Sequence, residues 1–78
     1  MNREQFEKEY LHKKVKITLF DDTKLEGVLY KTGPDCDEKF RYEAGIVYRH
    51  KYYFLVGHNN RIRFLFRKSH IKHISEVR

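Results

Sequence analysis

The chain has 78 residues, of which 40% are hydrophobic and 36% are charged, and its formal net charge is +6. This length fits one domain, residues 1–78, and the content of Leu, Ile, Val and Phe predicts a folded chain rather than a disordered one. The longest apolar run, Tyr52 to Val56, is too short to cross a membrane, and we expect the charged N-terminal segment not to be a signal peptide. The only cysteine, Cys36, cannot form an internal disulfide, so we expect a cytoplasmic protein.

The positive charge is concentrated in the C-terminal part of the chain. Residues 1–30 contain six Lys or Arg and six Asp or Glu, and residues 31–45 carry a net charge of −1. Residues 46–78 contain eight basic residues and one acidic residue, a net charge of +7. This asymmetry favours a polyanionic partner, and charge that serves only solubility is the alternative.

The N-terminal residues 2–12 are predicted to form a short helix. Asn2 can cap its first turn while Gln5 reaches back, as in a capping box. Phe6 and Tyr10 fall one turn apart on the same face. We expect this face to cover the open end of a barrel.

The next part of the chain predicts two strands joined by a tight turn. Apolar and polar residues alternate over residues 15–20, as in a half-buried strand. The sequence Asp21-Asp22-Thr23 is typical of a turn, because Asp tolerates left-handed geometry. Residues 25–30 form the returning strand, and Gly27 in its middle indicates a bulge or a sharp bend.

Residues 32–43 are predicted to be a loop or an extended hairpin tip, since they contain the only proline, beside Gly33, and an acidic cluster. Asp35, Asp37 and Glu38 lack the Gly and the distal Glu of a calcium loop, so we interpret them as a solvated turn. No basic residue lies near Cys36 to lower its pKa, and a reactive thiol is not predicted.

The rest of the chain is rich in β-forming residues. Ile62, Phe64 and Phe66 are predicted to lie on one face of a strand, with arginines on the other face. A helix followed by about five strands indicates a small antiparallel barrel. The predicted β-rich stretches are residues 45–48, 51–56, 61–67 and 69–74, of which the first two form one bent strand or two arms around a turn.

Two segments resemble the signatures of the Sm-like (LSm) family. KKVKITLFDDTKLEGVLY, residues 13–30, is similar to the first signature, and RIRFLFRKSHIKHI, residues 61–74, is similar to the second. The ending FRKSHIKHI also resembles small Sm-like proteins of Gram-positive bacteria and their phages. The resemblance implies the Sm-like fold, which is an N-terminal helix followed by a strongly bent, five-stranded antiparallel SH3-like barrel. The chain departs from the family's pattern in two places. Asp22 stands where the family usually has Gly, and residues 33–50 are a variable inserted loop or hairpin.

The candidate nucleic-acid-binding residues come from two places in the chain. Residues 48–53 interleave tyrosines with cations, which suits base stacking and phosphate neutralisation in single-stranded RNA. The resemblance adds the residues that match an RNA-contacting loop of the family. The alternative is that the rings are core residues and the arginines form a solvated sheet face. The predicted binding residues are Arg49, Lys51 and Tyr52 from the first place, and Arg67, Lys68 and His70 from the second.

We therefore expect a small non-enzymatic protein that binds RNA or another polyanion through its basic C-terminal half. No catalytic triad, carboxylate pair or phosphate-binding Gly loop can be assembled, and no cofactor is predicted. His70 and His73 would face opposite sides of a strand, so no metal site is predicted. The resemblance also implies a homo-oligomeric ring through strands 61–67 and 70–74. The alternative is a protein-interaction or assembly module of a phage or mobile element with no nucleic-acid role.

Overall fold

A single N-terminal helix precedes a five-stranded antiparallel sheet in the computed structural model, which describes residues 2–77. The predicted class, mainly β with one N-terminal helix, is confirmed. The strand order is β4-β3-β2-β1-β5, so β4 and β5 are the outer strands. No helix in the described part of the chain is long and apolar enough to span a membrane. The elements are α1 (Arg3–Tyr10), β1 (Lys14–Leu19), β2 (Lys24–Lys31), β3 (Tyr52–Val56), β4 (Ile62–Arg67) and β5 (Ile71–Glu76).

Helix α1 begins with the predicted capping box. The backbone amide of Gln5 donates to the Asn2 side chain at 2.8 Å, and the Gln5 side chain accepts from the Asn2 amide. Phe6 and Tyr10 pack against the main hydrophobic core, so the predicted face of the helix is the one that packs on the sheet. The helix ends at Tyr10, and His12 then adopts a φ of 66° where the chain turns into β1.

The turn between β1 and β2 also follows its prediction. Asp22 adopts a φ of 68°, and the amide of Thr23 donates to the Asp21 carboxylate at 3.0 Å. The hydrogen bonds from Thr23 lower the pKa of Asp21 below its ordinary value. The β1–β2 register continues through Gly27 without a bulge. A Cβ at Gly27 would lie 2.9 Å from the Val56 carbonyl oxygen, so this glycine permits β3 to approach β2 closely.

Strand β3 is buried on both faces, which explains its uninterrupted apolar sequence. Tyr53 and Leu55 belong to the first hydrophobic core, whereas Phe54 and Val56 belong to the second. The other buried members of the first core are Val15, Ile17, Leu25, Leu29 and Phe66.

Residues 33–50 form a packed loop rather than a hairpin. Cys36, Phe40 and Ile46 are buried and pack against Phe54 and Val56 as the second core. Short 3-10 helices at Glu38–Phe40 and Ile46–Tyr48 occupy this segment. The prediction of a strand at residues 45–48 is therefore wrong. The segment begins at Gly45 in the left-handed conformation, and β propensity does not distinguish a buried strand from a buried turn of this kind.

A bulge in the pairing of β3 with β4 changes the predicted faces of β4. Leu55 pairs with Phe64, but the next residue, Val56, pairs with Ile62, so β4 has an extra residue at this point. Phe64 contacts the first core as expected, but Ile62 contacts the second. The prediction that Ile62 shares a face with Phe64 is wrong because strict alternation does not hold across a bulge.

Candidate functional site

An exposed aromatic and cationic cluster lies where β3 begins and β4 ends. The Arg49 and Arg67 guanidinium carbons lie 5.6 and 5.8 Å from the centroid of the Tyr52 ring. Cross-strand pairing places Tyr52 opposite Arg67, and Arg67 Nε donates to the Tyr52 hydroxyl at 3.4 Å. These distances are within the range of cation–π attraction. We call Arg49, Tyr52 and Arg67 the Tyr52 cluster.

The segment that carries the cluster is held by hydrogen bonds, two of which come from the buried residue Thr32. The hydroxyl of Thr32, a side chain only 7% exposed, lies 2.8 Å from the Arg49 carbonyl oxygen and 3.0 Å from that of Tyr52, and shares its hydrogen between them. Arg49 Nε donates to the Ala44 carbonyl at 3.0 Å, which orients the guanidinium group. Lys51 adopts a φ of 65°, and its carbonyl accepts from the Lys68 amide at 2.8 Å. The cluster is therefore positioned before any ligand binds.

The guanidinium groups of the cluster form no ion pair with a carboxylate of residues 2–77. Lysines on β1 and β5 do form ion pairs, for example Lys16 with Glu26 and Lys72 with Asp22. A cation that has no such partner attracts an external anion more strongly than one that is already paired. Within residues 46–77, the Lys and Arg side chains that form no ion pair are Arg49, Lys51, Arg61, Arg63 and Arg67.

Lys68 lies next to Arg67 in sequence, but its ammonium group contacts helix α1 instead of joining the cluster. Its Nζ is 3.4 Å from Glu7 Oε2 and 4.7 Å from the centroid of the Tyr53 ring, and its side chain is 15% exposed. The Tyr53 hydroxyl donates to the same Glu7 oxygen at 2.8 Å. Burial, together with this hydrogen bond, raises the pKa of Tyr53 above its ordinary value. Lys68 therefore connects the end of β4 to the helix.

His70 is exposed but faces a different part of the surface. It ends the short 3-10 helix Lys68–His70, and its carbonyl accepts from the Phe20 amide at 2.9 Å. His70 lines a surface depression with Leu19, Phe20 and Asp21. Of the six predicted binding residues, the structure brings together Arg49, Tyr52 and Arg67, with Lys51 exposed on the same segment, and places Lys68 and His70 elsewhere.

Sequence reasoning did not identify Thr32 as the residue that positions the cluster. Its partners, Arg49 and Tyr52, are 17 and 20 residues away in the chain. A threonine beside a Gly-Pro turn gives no signal that its hydroxyl is buried. Only the path of the loop of residues 33–50, which returns to the end of β2, brings these groups together.

Together, the described residues form a small, mainly β protein with an exposed arginine–tyrosine cluster at one end of its β3–β4 pair. No protein-family model, curated protein or solved structure matches the chain. Its function is therefore inferred from the chemistry of its own residues.

Proposed function

We propose that the protein is a non-enzymatic binding protein that holds RNA or another polyanion at the Tyr52 cluster. The observation that carries this proposal is the pair of guanidinium groups, 5.6 and 5.8 Å from one tyrosine ring, neither of which has a carboxylate partner within residues 2–77. Guanidinium groups are weakly hydrated and bind phosphate through paired donors, so two of them in fixed positions suit a chain of phosphates.

The distribution of charge supports the same ligand class. Two further unpaired cations lie near the start of β4: Arg63 is on this strand, which ends at Arg67, and Arg61 directly precedes it. They extend the positive surface beyond the cluster, as an elongated anion requires. The acidic residues of residues 1–30 reduce the positive charge there, for example where Glu26 pairs with Lys14 and Lys16.

The resemblance to the Sm-like family also supports the proposal. Arg67 stands at the position of a family loop that contacts RNA, and it is a member of the Tyr52 cluster. Cys36 is buried and has no disulfide partner, which fits the cytoplasmic location that we propose.

The salt dependence of binding tests this function. If about four phosphates of a single-stranded oligonucleotide are contacted, the logarithm of the binding constant falls with the logarithm of salt concentration at a slope of about −3. Combining Arg49→Ala with Arg67→Ala should reduce the steepness of this slope by about 1.4, because two contacts are lost. Fluorescence anisotropy with labelled oligo-uridine and oligo-adenosine measures both quantities.

A matched control separates the cluster from general charge. Lys16→Ala combined with Lys72→Ala also removes two positive charges, but these side chains are already paired with Glu26 and Asp22. We expect the wild-type slope in this variant. Equal slopes in the two double variants, or no binding to either oligonucleotide at low salt, would contradict the proposed function.

A second candidate function, self-assembly, rests on the two outer strands. Strands β4 and β5 each contain six residues and pair on only one side within the sheet. An unpaired strand edge is a template for another strand. Strand β4 of one copy could therefore pair with β5 of the next to form a ring, or either edge could bind a strand of another protein. Sedimentation velocity tests this candidate, and a monomer at all concentrations argues against a ring.

A further inference from the structure

The carboxylate of Glu7 on α1 is held by three groups that lie outside the helix. Its Oε2 is 3.4 Å from the Lys68 ammonium group and accepts a hydrogen bond of 2.8 Å from the Tyr53 hydroxyl. Its Oε1 is 4.0 Å from the ammonium group of Lys31, which pairs with Tyr53 across β2 and β3. Two cations and a hydroxyl donor around one anion also suit a phosphate group. We call Lys31, Tyr53 and Lys68 the Glu7 partners.

One of the Glu7 partners, Lys68, adjoins the Tyr52 cluster. It directly follows Arg67, and its amide donates at 2.8 Å to the carbonyl of Lys51, the residue before Tyr52. Lys68 and Arg3 also line a surface depression of about 300 Å³ beside α1. Consecutive Cα atoms are about 3.8 Å apart, so a polyanion that contacts Arg67 lies close to Lys68. The charge of Lys68 is already neutralised by the helix.

Helix α1 makes few buried contacts with the sheet. It contains eight residues and none of them is buried, and Phe6 and Tyr10 are only partly covered where they pack on the first core. A helix of this length is marginally stable by itself. Segments with few buried side chains open locally at a lower free energy than the whole domain unfolds. Local opening of α1 takes Glu7 away from its partners.

We infer that α1 regulates polyanion binding by competition: Glu7 occupies the position of a phosphate group, and the ligand gains Lys31 and Lys68 when the helix opens. This inference rests on the proposed function and adds its regulation. Opening and binding then favour each other by the same factor, because the two equilibria are linked. A purely structural role of Glu7 predicts instead that the salt dependence of binding does not change when the charge of Glu7 is removed.

The variant Glu7→Gln tests the competition. Glutamine keeps an oxygen that accepts from the Tyr53 hydroxyl but removes the charge that pairs with the two lysines. We expect the salt-dependence slope for labelled oligo-uridine to become steeper by about 1.4, because two further phosphate contacts form. Glu9→Gln is the matched control, since Glu9 is exposed on the same helix and forms no ion pair within residues 2–77. It should keep the wild-type slope.

The variant Lys68→Ala separates competition from a structural effect. In the Glu7→Gln background it should reduce the steepness of the slope by about 0.7, whereas in the wild type it should leave the slope nearly unchanged. Equal effects in the two backgrounds overturn the inference. An unchanged slope in Glu7→Gln also overturns it, and a wild-type slope of about −3 in the same experiment leaves the proposed function standing. The proposed function itself is overturned if neither protein binds at low salt.

Amide hydrogen exchange tests the competition without altering Glu7. Saturating oligo-uridine should accelerate the exchange of the α1 amides in the wild type, because the ligand favours the open helix. Asn2→Ala removes the side chain that accepts from the Gln5 amide at 2.8 Å. This loss of the cap should accelerate α1 exchange about fivefold without ligand and should tighten oligo-uridine binding. Exchange of the α1 amides that is slower or unchanged with ligand overturns the inference.

Discussion

The hydroxyl of Tyr53 on β3 donates to the Glu7 carboxylate on α1 at 2.8 Å, and this bond joins the helix to the centre of the sheet. The same carboxylate oxygen lies 3.4 Å from the Lys68 ammonium. One acidic side chain thus joins the helix to β3 and to the end of β4, and its other oxygen lies 4.0 Å from the Lys31 ammonium at the end of β2. Each group depends on the others, because a polar group left unpaired below the surface destabilises the fold.

We expect Glu7→Ala to lower the free energy of unfolding by about 1–3 kcal/mol, because Tyr53 and Lys68 both lose their acceptor. Urea denaturation followed by far-ultraviolet circular dichroism measures the change. Glu9→Ala is the matched control, since Glu9 is an exposed carboxylate on the same helix. If the two variants have the same stability, the network does not contribute as described.

The raised pKa of Tyr53 predicts a loss of stability at high pH. Tyr53 stays protonated in the folded state, whereas in the unfolded chain it ionises near its ordinary pKa of about 10. Its contribution is therefore fully present below pH 10 and decreases as the pH rises above this value. The stability of Tyr53→Phe should fall less steeply between pH 9 and pH 11 than that of the wild type, and parallel curves would exclude this contribution.

Arg67 and Lys68 are adjacent, but we expect their substitutions to have different effects. Lys68→Ala should lower stability and leave the salt dependence of polyanion binding nearly unchanged, because the ammonium group is paired with Glu7. Arg67→Ala should reduce the steepness of the salt dependence by about 0.7 and change stability little. Urea denaturation and salt titration of both variants measure these effects, and the reverse pattern would show that Lys68 contacts the ligand.

Thr32 should act on binding through the segment that it holds. Thr32→Val removes the hydroxyl that binds the Arg49 and Tyr52 carbonyls, so we expect about 1 kcal/mol less stability and weaker polyanion binding. Thr32→Ser restores the donor and should recover the affinity. If affinity is lost in both variants to the same degree, the hydroxyl is not the group that positions the cluster.

Gly27 should not tolerate a larger side chain. Gly27→Ala places a Cβ 2.9 Å from the backbone oxygen of Val56, which forces β2 and β3 apart. We therefore expect the free energy of unfolding to fall by about 1–3 kcal/mol. Gly57→Ala is the control, because the nearest atom to a Cβ at Gly57 belongs to the flexible Arg63 side chain, 3.5 Å away. Thermal denaturation of the two variants should show a clear difference in their midpoints.

Local features of the fold could be predicted from the sequence because each depends on residues close together in the chain. Asn2 and Gln5 of the capping box are three positions apart, and the turn at Asp22 depends on adjacent residues. The alternation of β1 is also a local signal, and its residues Val15 and Ile17 are buried. These predictions needed no knowledge of distant partners.

The features that were missed depend on contacts between distant residues. Lys68 is 61 residues from Glu7, so nothing near Lys68 in the sequence indicates that its charge is paired. The bulge that turns Ile62 to the second core arises from the pairing of two strands. Of the candidate site, the sequence identified the arginines and Tyr52, but not the residue that positions them, because burial of Thr32 is a property of the folded chain.

The two-sided burial of β3 makes the loop of residues 33–50 part of the folding unit. Cys36, Phe40 and Ile46 cover Phe54 and Val56 completely enough that both β3 residues are at most 4% exposed. Shortening the loop to a simple turn would leave a bare apolar face on the central strand pair, and exposed patches of this kind promote aggregation. Truncation, permutation or insertion of a tag within residues 33–50 is therefore a poor engineering choice for this chain, although the segment contains no strand.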